Sequence, residues 1–229
     1  MSNTVVLAAS YLGPDGHGND LTGLWSWPAS HAEAFQRGEL TGVHWSLLFP
    51  SDASRFARMD LMCRLGYLAT ELLGAGLEEM PPERRERLGV CVETCAGSLA
   101  TDVRFLQTPR PSLFAYTLPS TVLGEICIRY RLRGPVLCLV SPQSPRREGL
   151  MEALHWLEEG AAGDCLCVVC EAVDRHLAGA LALPPAMDPG AWHAAALLLG
   201  RGTGQAREHP LEPGTLVEIC RHLCGRLRG

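Results

Sequence analysis

The chain reads Gly134-Pro135-Val136-Leu137-Cys138-Leu139-Val140-Ser141-Pro142-Gln143-Ser144-Pro145 at the point that decides its fold. Five consecutive apolar residues predict a buried strand over 136–140. Ser144 and Pro145 then predict the start of a helix, with Ser144 as N-cap and Pro145 at the first helical position. A strand that turns directly into a helix can present one side chain at the positive end of the helix, which suits a nucleophile. The residue at this tip is Gln143, whose amide is not a nucleophile.

Strands and helices alternate along the rest of the chain. The predicted strands are 4–9, 88–93, 136–140, 165–170 and 192–199. The predicted helices are 28–36, 54–73, 99–107, 121–130, 146–160 and 213–227. We expect loops at 10–27, 81–87, 108–120 and 184–190, where Gly, Pro or charged residues are concentrated. The strands lack polar alternation, which favours an α/β fold with a mostly parallel five-stranded sheet covered by helices on both faces. Residues 1–229 are expected to form a single domain.

Ordered segments of the chain are similar to a known family. They are Thr4–Ala9, Arg55-Phe56-Ala57-Arg58-Met59-Asp60, Arg64–Ala69, Arg87–Leu99, and Leu118–Arg129 followed by Leu132-Arg133-Gly134-Pro135. Together they resemble the N-terminal half of the β-ketoacyl synthases, the condensing enzymes of fatty-acid and polyketide assembly. That family has the pattern Gly-Pro-x-x-Thr-Val-x-Thr-Ala-Cys-Ser-Ser, with Cys as the nucleophile that carries the acyl group. Counting from Gly134-Pro135 places Gln143 at the position of this Cys.

The resemblance covers most of residues 1–205 and implies one half of a thiolase-type fold. It also implies that the parts needed for condensation are missing. Gln143 replaces the nucleophile, and the family's two catalytic His residues and its Lys belong to the second half of the synthase, which this sequence does not include. The sequence contains no Lys anywhere. We therefore expect that the chain is not a complete β-ketoacyl synthase, and that any activity belongs to the acyltransferase class.

Three residues are candidates for chemistry. The resemblance allows Gln143 to stabilise a developing enolate or thioester oxygen, as in decarboxylating members of the family, or to do no chemistry at all. Ser144 is either an alternative nucleophile or simply the helix N-cap. Cys95 follows the end of a predicted strand, where α/β sheets place their sites, and is either a reactive thiol or a buried small residue.

Ten cysteines offer possible metal or redox sites. Cys165 and Cys167 would point to one face of their strand and Cys170 to the other, so three thiolates could not converge on one zinc. Cys220 and Cys224 are one helical turn apart and form either a metal or redox pair or ordinary packing. We predict no metal and no cofactor. The cysteines, without an export signal, indicate a reducing cytoplasm.

Charge and hydropathy restrict the possible partners. The net charge is −5 and the sequence pI is about 5.9, which gives no footprint for nucleic acid. The longest apolar run is too short for a membrane span. In the related family the strand that enters the nucleophile turn pairs with its twin. Here this dimer strand consists of Val136, Leu137, Cys138, Leu139 and Val140. We expect a homodimer or a heterodimer with a full-length ketosynthase.

An acyl carrier protein is a further expected partner, because its acidic surface would suit paired arginines. The candidates are Arg55, Arg58, Arg129, Arg131 and Arg133. Three hypotheses follow for the whole chain. It is a non-condensing ketosynthase-like partner in fatty-acid or polyketide-type biosynthesis. It is a decarboxylase or acyltransferase on carrier-bound thioesters, with His supplied by another chain. Or it is a purely structural remnant.

Overall fold

The structure is a computed structural model, and it describes residues 4–13, 16–26, 56–141, 147–172, 192–202, 208–211 and 213–226. The strands are β1 Thr4–Gly13, β2 Gly16–Asn19, β3 Gly23–Trp25, β4 Leu88–Thr94, β5 Val136–Val140, β6 Asp164–Glu171, β7 His193–Arg201 and β8 His209–Pro210. The helices are α1 Leu61–Leu72, α2 Ala75–Glu78, α3 Pro82–Arg85, α4 Leu99–Gln107, α5 Pro111–Phe114, α6 Thr121–Tyr130, α7 Glu148–Glu159 and α8 Leu216–Gly225.

All the described strands belong to one sheet, in the order β3-β2-β1-β7-β6-β4-β5, with β8 also paired to β1. β4 runs parallel to both β5 and β6, whereas every other described pair is antiparallel. The α/β class and the five predicted strands are confirmed. The sheet itself differs from the expectation, because within the described residues it has eight strands and is mixed. Burial on both faces produces an apolar strand in either direction, so the missing polar alternation could not reveal which strands are antiparallel.

The expected loop over 10–27 is wrong for the residues that the structure describes. β1 continues to Gly13, and β2 and β3 follow as antiparallel strands. Gly18 has a reason to be glycine, because a Cβ there would lie 2.0 Å from the Gly23 carbonyl oxygen. A glycine required by close backbone approach looks the same in a sequence as a glycine in a loop.

Helices cover both faces of the sheet, as expected. α1 and α6 pack on one face, where Leu65, Leu68 and Ile126 are fully buried. α7 and α8 pack on the other face, with Leu157 and Ile219 in its core. The sheet therefore lies between two layers of helices. These layers shield the polar side chains at the ends of the strands from water.

The helices predicted over 99–107, 121–130, 146–160 and 213–227 are confirmed within a few residues. The helix predicted over 54–73 begins only at Leu61, where Asp60 caps it. Two expected connectors contain short helices, α3 and α5, each with a proline at its first turn. The predicted helix over 28–36 and the predicted loop over 184–190 lie outside the described residues. None of the helices that the structure describes has the length and hydrophobicity needed to cross a membrane.

Candidate functional site

A buried network lies at the carboxyl ends of β4 and β6. The Glu171 carboxylate is only 2% exposed and accepts hydrogen bonds from the Cys95 backbone N–H at 2.5 Å and the Thr94 hydroxyl at 3.3 Å. The Thr94 hydroxyl oxygen also accepts from the Gly97 N–H at 3.1 Å. The Thr94 carbonyl accepts from the Ser141 N–H at 2.9 Å. These bonds connect the end of β6, the loop after β4 and the residue that follows β5.

A second buried carboxylate lies at the same edge. Glu93, the penultimate residue of β4, is 2% exposed, and its Oε2 accepts from the Gly149 N–H at 3.0 Å. Gly149 is in the first turn of α7, the helix that follows the 142–146 segment. Arg147, the N-cap of this helix, makes no side-chain capping bond. Glu93 thus supplies from a neighbouring strand the acceptor that an N-cap side chain would otherwise provide.

The loop after β4 packs closely against β5 and the segment before α6. Gly97 has a φ of +59°, and a Cβ there would lie 2.9 Å from Pro119 and 3.6 Å from Val140. The Ser98 hydroxyl donates to the Thr117 carbonyl at 2.6 Å. This loop therefore needs a glycine both for its backbone conformation and for the close approach of its neighbours.

Asp60 fixes the beginning of α1 at this edge. Its Oδ1 accepts from the Cys63 N–H at 2.9 Å as a helix cap, and its Oδ2 accepts from the Thr101 hydroxyl of α4 at 2.6 Å. Burial, followed by the charge of Asp60, raises the pKa of the Cys63 thiol. Asp60 is therefore a structural acceptor that joins two helices, and Cys63 is a protonated thiol.

The predicted chemical residues are only partly placed. Gln143 and Ser144 lie outside the described residues, so their chemical roles stay predictions. The predicted N-cap position of Ser144 is wrong, because α7 begins at Glu148 and has Arg147 as its N-cap. Cys95 is at the expected edge, but it is 4% exposed and has a buried carboxylate at its backbone N–H. A reactive thiol needs access to its substrate, so this burial favours the alternative of a packed small residue.

The other cysteines are free thiols. Cys165 and Cys167 belong to the core under α7 and α8, and Cys170 to the opposite core, as the strand alternation predicted. On α8, Cys220 donates to the Ala196 carbonyl at 3.3 Å, and Cys224 to that of Gly18 at 3.7 Å. Within the described residues no group of His, Cys, Asp or Glu side chains is arranged to hold a metal ion. These contacts fit core packing.

The predicted dimer strand, β5, lies at one end of the sheet. In the described part of the chain it pairs with β4 alone. Val136 is 52% exposed and Val140 is 47% exposed. An apolar edge strand of this kind is open to pairing with another chain.

The candidate arginines do not form one surface. Arg58 is exposed beside the start of α1, whereas Arg131 and Arg133 are exposed at the opposite edge, between α6 and β5. Arg129 donates to Glu71 at 2.8 Å and also pairs with Glu78, so it is held inside this chain. Arg55 lies outside the described residues.

The two buried glutamates were missed by sequence reasoning. Each interrupts an otherwise apolar strand, in Val90-Cys91-Val92-Glu93 and Val168-Val169-Cys170-Glu171. A charged residue at the end of such a run, followed by a turn, could have been singled out as a group that needs a buried partner.

Comparison with solved structures identifies the fold. The chain aligns with the ishigamide ketosynthase/chain length factor at 17% identity and a TM-score of 0.62, covering 90% of this chain and 64% of that chain. It aligns with a chain of a ketosynthase in complex with its chain length factor from Xenorhabdus doucetiae at 18% identity and a TM-score of 0.63, covering 99% and 92%. A type II polyketide synthase acyl carrier protein in complex with its ketosynthase gives 16% identity and a TM-score of 0.58, covering 88% and 63%.

No protein-family model matches the sequence, and no curated protein matches it significantly. In the first and third structures the chain spans slightly less than two thirds of the chain that it matches. The likeness at this identity is one of fold, and it agrees with the mixed sheet between two helical layers. The chain therefore has a ketosynthase-like fold, equivalent to one half of the thiolase-type architecture.

Proposed function

We propose that this protein is a non-condensing partner of a ketosynthase in fatty-acid or polyketide-type biosynthesis, and that it binds through β5. The observation that carries the proposal is the open, apolar edge of this strand. The fold supports it, because two of the matched structures are a ketosynthase/chain length factor and a ketosynthase in complex with its chain length factor.

The backbone of β5 favours strand pairing. The Pro135 carbonyl accepts from Val90 of β4, and the Ser141 N–H donates to Thr94 of β4. Peptide groups alternate in direction along a strand, so residues 135, 137, 139 and 141 face β4. The N–H and C=O groups of Val136, Cys138 and Val140 consequently point to the open edge. They are the groups that a partner's strand would bind.

The proposal places no condensation chemistry on this chain. The sequence has Gln143 where the resemblance implies the nucleophile, and Cys95, the other candidate thiol, is 4% exposed. Acyl transfer would also need a base to accept a proton. The two buried carboxylates at this edge, Glu93 and Glu171, already accept hydrogen bonds from backbone N–H groups.

An acyl carrier protein is the second partner that we propose. Among the described candidate arginines, Arg58 is exposed just before α1, whose N-cap Asp60 bonds to Thr101 of α4 beyond the carboxyl end of β4. Arg131 and Arg133 instead precede the amino end of β5. We therefore assign carrier contact to the Arg58 end.

A reducing compartment fits all ten cysteines being free thiols.

The test is co-expression with a full-length ketosynthase from the same organism, followed by size-exclusion chromatography with light scattering. We expect a one-to-one complex. The variant Val140→Lys should weaken it at least tenfold, because the charge would lie against the paired strand. Ile128→Lys is the matched control, since Ile128 is 60% exposed on α6 and is not part of β5.

Three results would contradict the proposal. The first is a monomer that does not bind the ketosynthase, and the second is a complex that Val140→Lys and Ile128→Lys weaken equally. The third is turnover of malonyl or acyl carrier thioesters by the isolated chain. A homodimer that Val140→Lys dissociates, with no ketosynthase bound, would support the edge pairing and contradict the ketosynthase partner.

A further inference from the structure

The positive end of α7 is occupied by a side chain of this protein. The first turn of an α-helix has N–H groups without partners in the helix, and together with the helix dipole they attract a negative charge. In α7 the first bond within the helix runs from the Met151 N–H to the Arg147 carbonyl at 2.8 Å. The Gly149 N–H, one of the groups outside this ladder, donates to the Glu93 carboxylate at 3.0 Å.

Glu93 and Gly149 are packed closely together. Glu93 is 2% exposed, and a Cβ at position 149 would lie 3.3 Å from its Oε2 and 3.5 Å from its Cβ. Glycine at 149 therefore lets the carboxylate lie directly against the helix backbone. The α7 N-cap, Arg147, brings no acceptor of its own.

We propose that Glu93 is a built-in counter-ion for α7, so that this helix end cannot stabilise a second negative charge such as a thiolate or an oxyanion. The helix dipole is equivalent to roughly half an elementary charge, which one carboxylate at bonding distance offsets. An acyl-transfer step needs positive potential where its negative charge develops. The charge at this end of α7 does not depend on whether the chain binds a ketosynthase.

A cysteine at the N-cap can measure this potential. In Arg147→Cys the new thiol is at the N-cap position, where thiol pKa values in other proteins fall well below the usual value of about 8.5. The thiol pKa is obtained from the pH dependence of iodoacetamide labelling of the peptide containing residue 147, read by mass spectrometry. We expect a pKa of about 8.5 or higher in this variant, because Glu93 cancels the helix potential.

The double variant Arg147→Cys with Glu93→Gln removes the charge and keeps an oxygen that can accept from Gly149. We expect the thiol pKa to fall by about 1, or a tenfold rise in the thiolate-to-thiol ratio. The control is Arg147→Cys with Glu148→Gln, which removes an equal charge from the exposed first residue of α7. Its effect should be less than a third as large, because water screens an exposed charge.

Two results would overturn the inference. One is a thiol pKa clearly below 8 in Arg147→Cys alone, which would show that the helix end is still available to an anion. This measurement does not depend on the folding of the Glu93 variant. The other is equal shifts from Glu93→Gln and Glu148→Gln. Neither readout involves partner binding, so failure here and failure of the proposed function are distinguishable.

Discussion

Single polar residues inside this fold are held by specific donors, and the cost of removing one donor can be measured. Asp60 is 7% exposed and Thr101 is 4% exposed, and their 2.6 Å hydrogen bond joins α1 to α4. Glu93 and Glu171 are buried in the same way and bind backbone N–H groups. Because a buried carboxylate is costly without its donors, each of these bonds fixes the position of one element relative to another.

We expect Thr101→Val to lower the free energy of unfolding by about 1–3 kcal/mol, because it keeps the side-chain shape and removes a donor from a buried carboxylate. Urea unfolding followed by circular dichroism measures the change. Thr108→Val is the control, since Thr108 is exposed at the end of α4 and its substitution should change stability by about 0.5 kcal/mol or less. Equal losses in both variants would show that the Asp60–Thr101 bond contributes nothing special.

Single elements differ in how they begin. α1 and α8 have side-chain caps, Asp60 and Thr215. In α7 the N-cap residue makes no such bond, and the acceptor is instead the Glu93 carboxylate on β4. In α8 the cap is reciprocal: the Glu218 N–H donates to the Thr215 hydroxyl, and the Glu218 carboxylate accepts from the Thr215 N–H at 2.8 Å. The beginning of α8 is thus determined locally, while that of α7 depends on β4.

The cap of α8 predicts a pH dependence of stability. Hydrogen bonds from the Thr215 N–H and hydroxyl lower the pKa of Glu218 below its usual 4.5. A carboxyl group with a lowered folded-state pKa stabilises the fold above its unfolded-state pKa and loses that contribution as the pH falls through the folded-state value. Glu218→Gln should therefore cost about 0.5 kcal/mol at pH 7, the low end for a cap because the group is exposed, and almost nothing near pH 3.

Thermal unfolding from pH 7 to pH 3 compares Glu218→Gln with the unchanged protein. Glu158→Gln, at an exposed position of α7, controls for the loss of one negative charge from the whole molecule. A stability difference for Glu218→Gln that grows as the pH falls would contradict the expected direction.

At the scale of the whole molecule, most of the buried thiols lie in two cores on opposite faces of one sheet. Eight of the ten cysteines are buried, and Cys127 and Cys138 are half-buried. Burial raises the pKa of Cys165 to about 12 and that of Cys127 to about 11. Because thiolates are the reactive form, the folded protein should be poorly reactive at neutral pH as a consequence of its packing.

At pH 8 we expect iodoacetamide to label Cys127 and Cys138 first, and the eight buried cysteines at least tenfold more slowly, because both access and thiolate fraction are low. Peptide mass spectrometry over time measures each site. Labelling in urea is the control, where all ten cysteines should react at similar rates. Rapid labelling of Cys95 in the folded protein would contradict its interpretation as a packed residue and would support a reactive thiol at this position.

Local patterns were enough to predict most of the elements. The five predicted strands and the helix over 121–130 depend on runs of apolar residues, helical spacing and flanking Gly or Pro, all within a few residues of each other. The order of segments around Gly134-Pro135 was also enough to predict the ketosynthase-like fold. The glycine-rich strands β2 and β3 were missed because their pairing compensates for poor local propensity.

The sequence by itself therefore predicted the longer strands and helices and the ketosynthase-like fold, while the role of Gln143 stays a prediction. Only the tertiary structure decided strand direction, the open edge of β5 and the partners of the buried charges. Glu93 meets Gly149 across 56 residues, and Glu171 meets Cys95 across 76. Such contacts depend on how the sheet assembles, because a carboxylate enters the interior only where assembled strands and helices supply its donors.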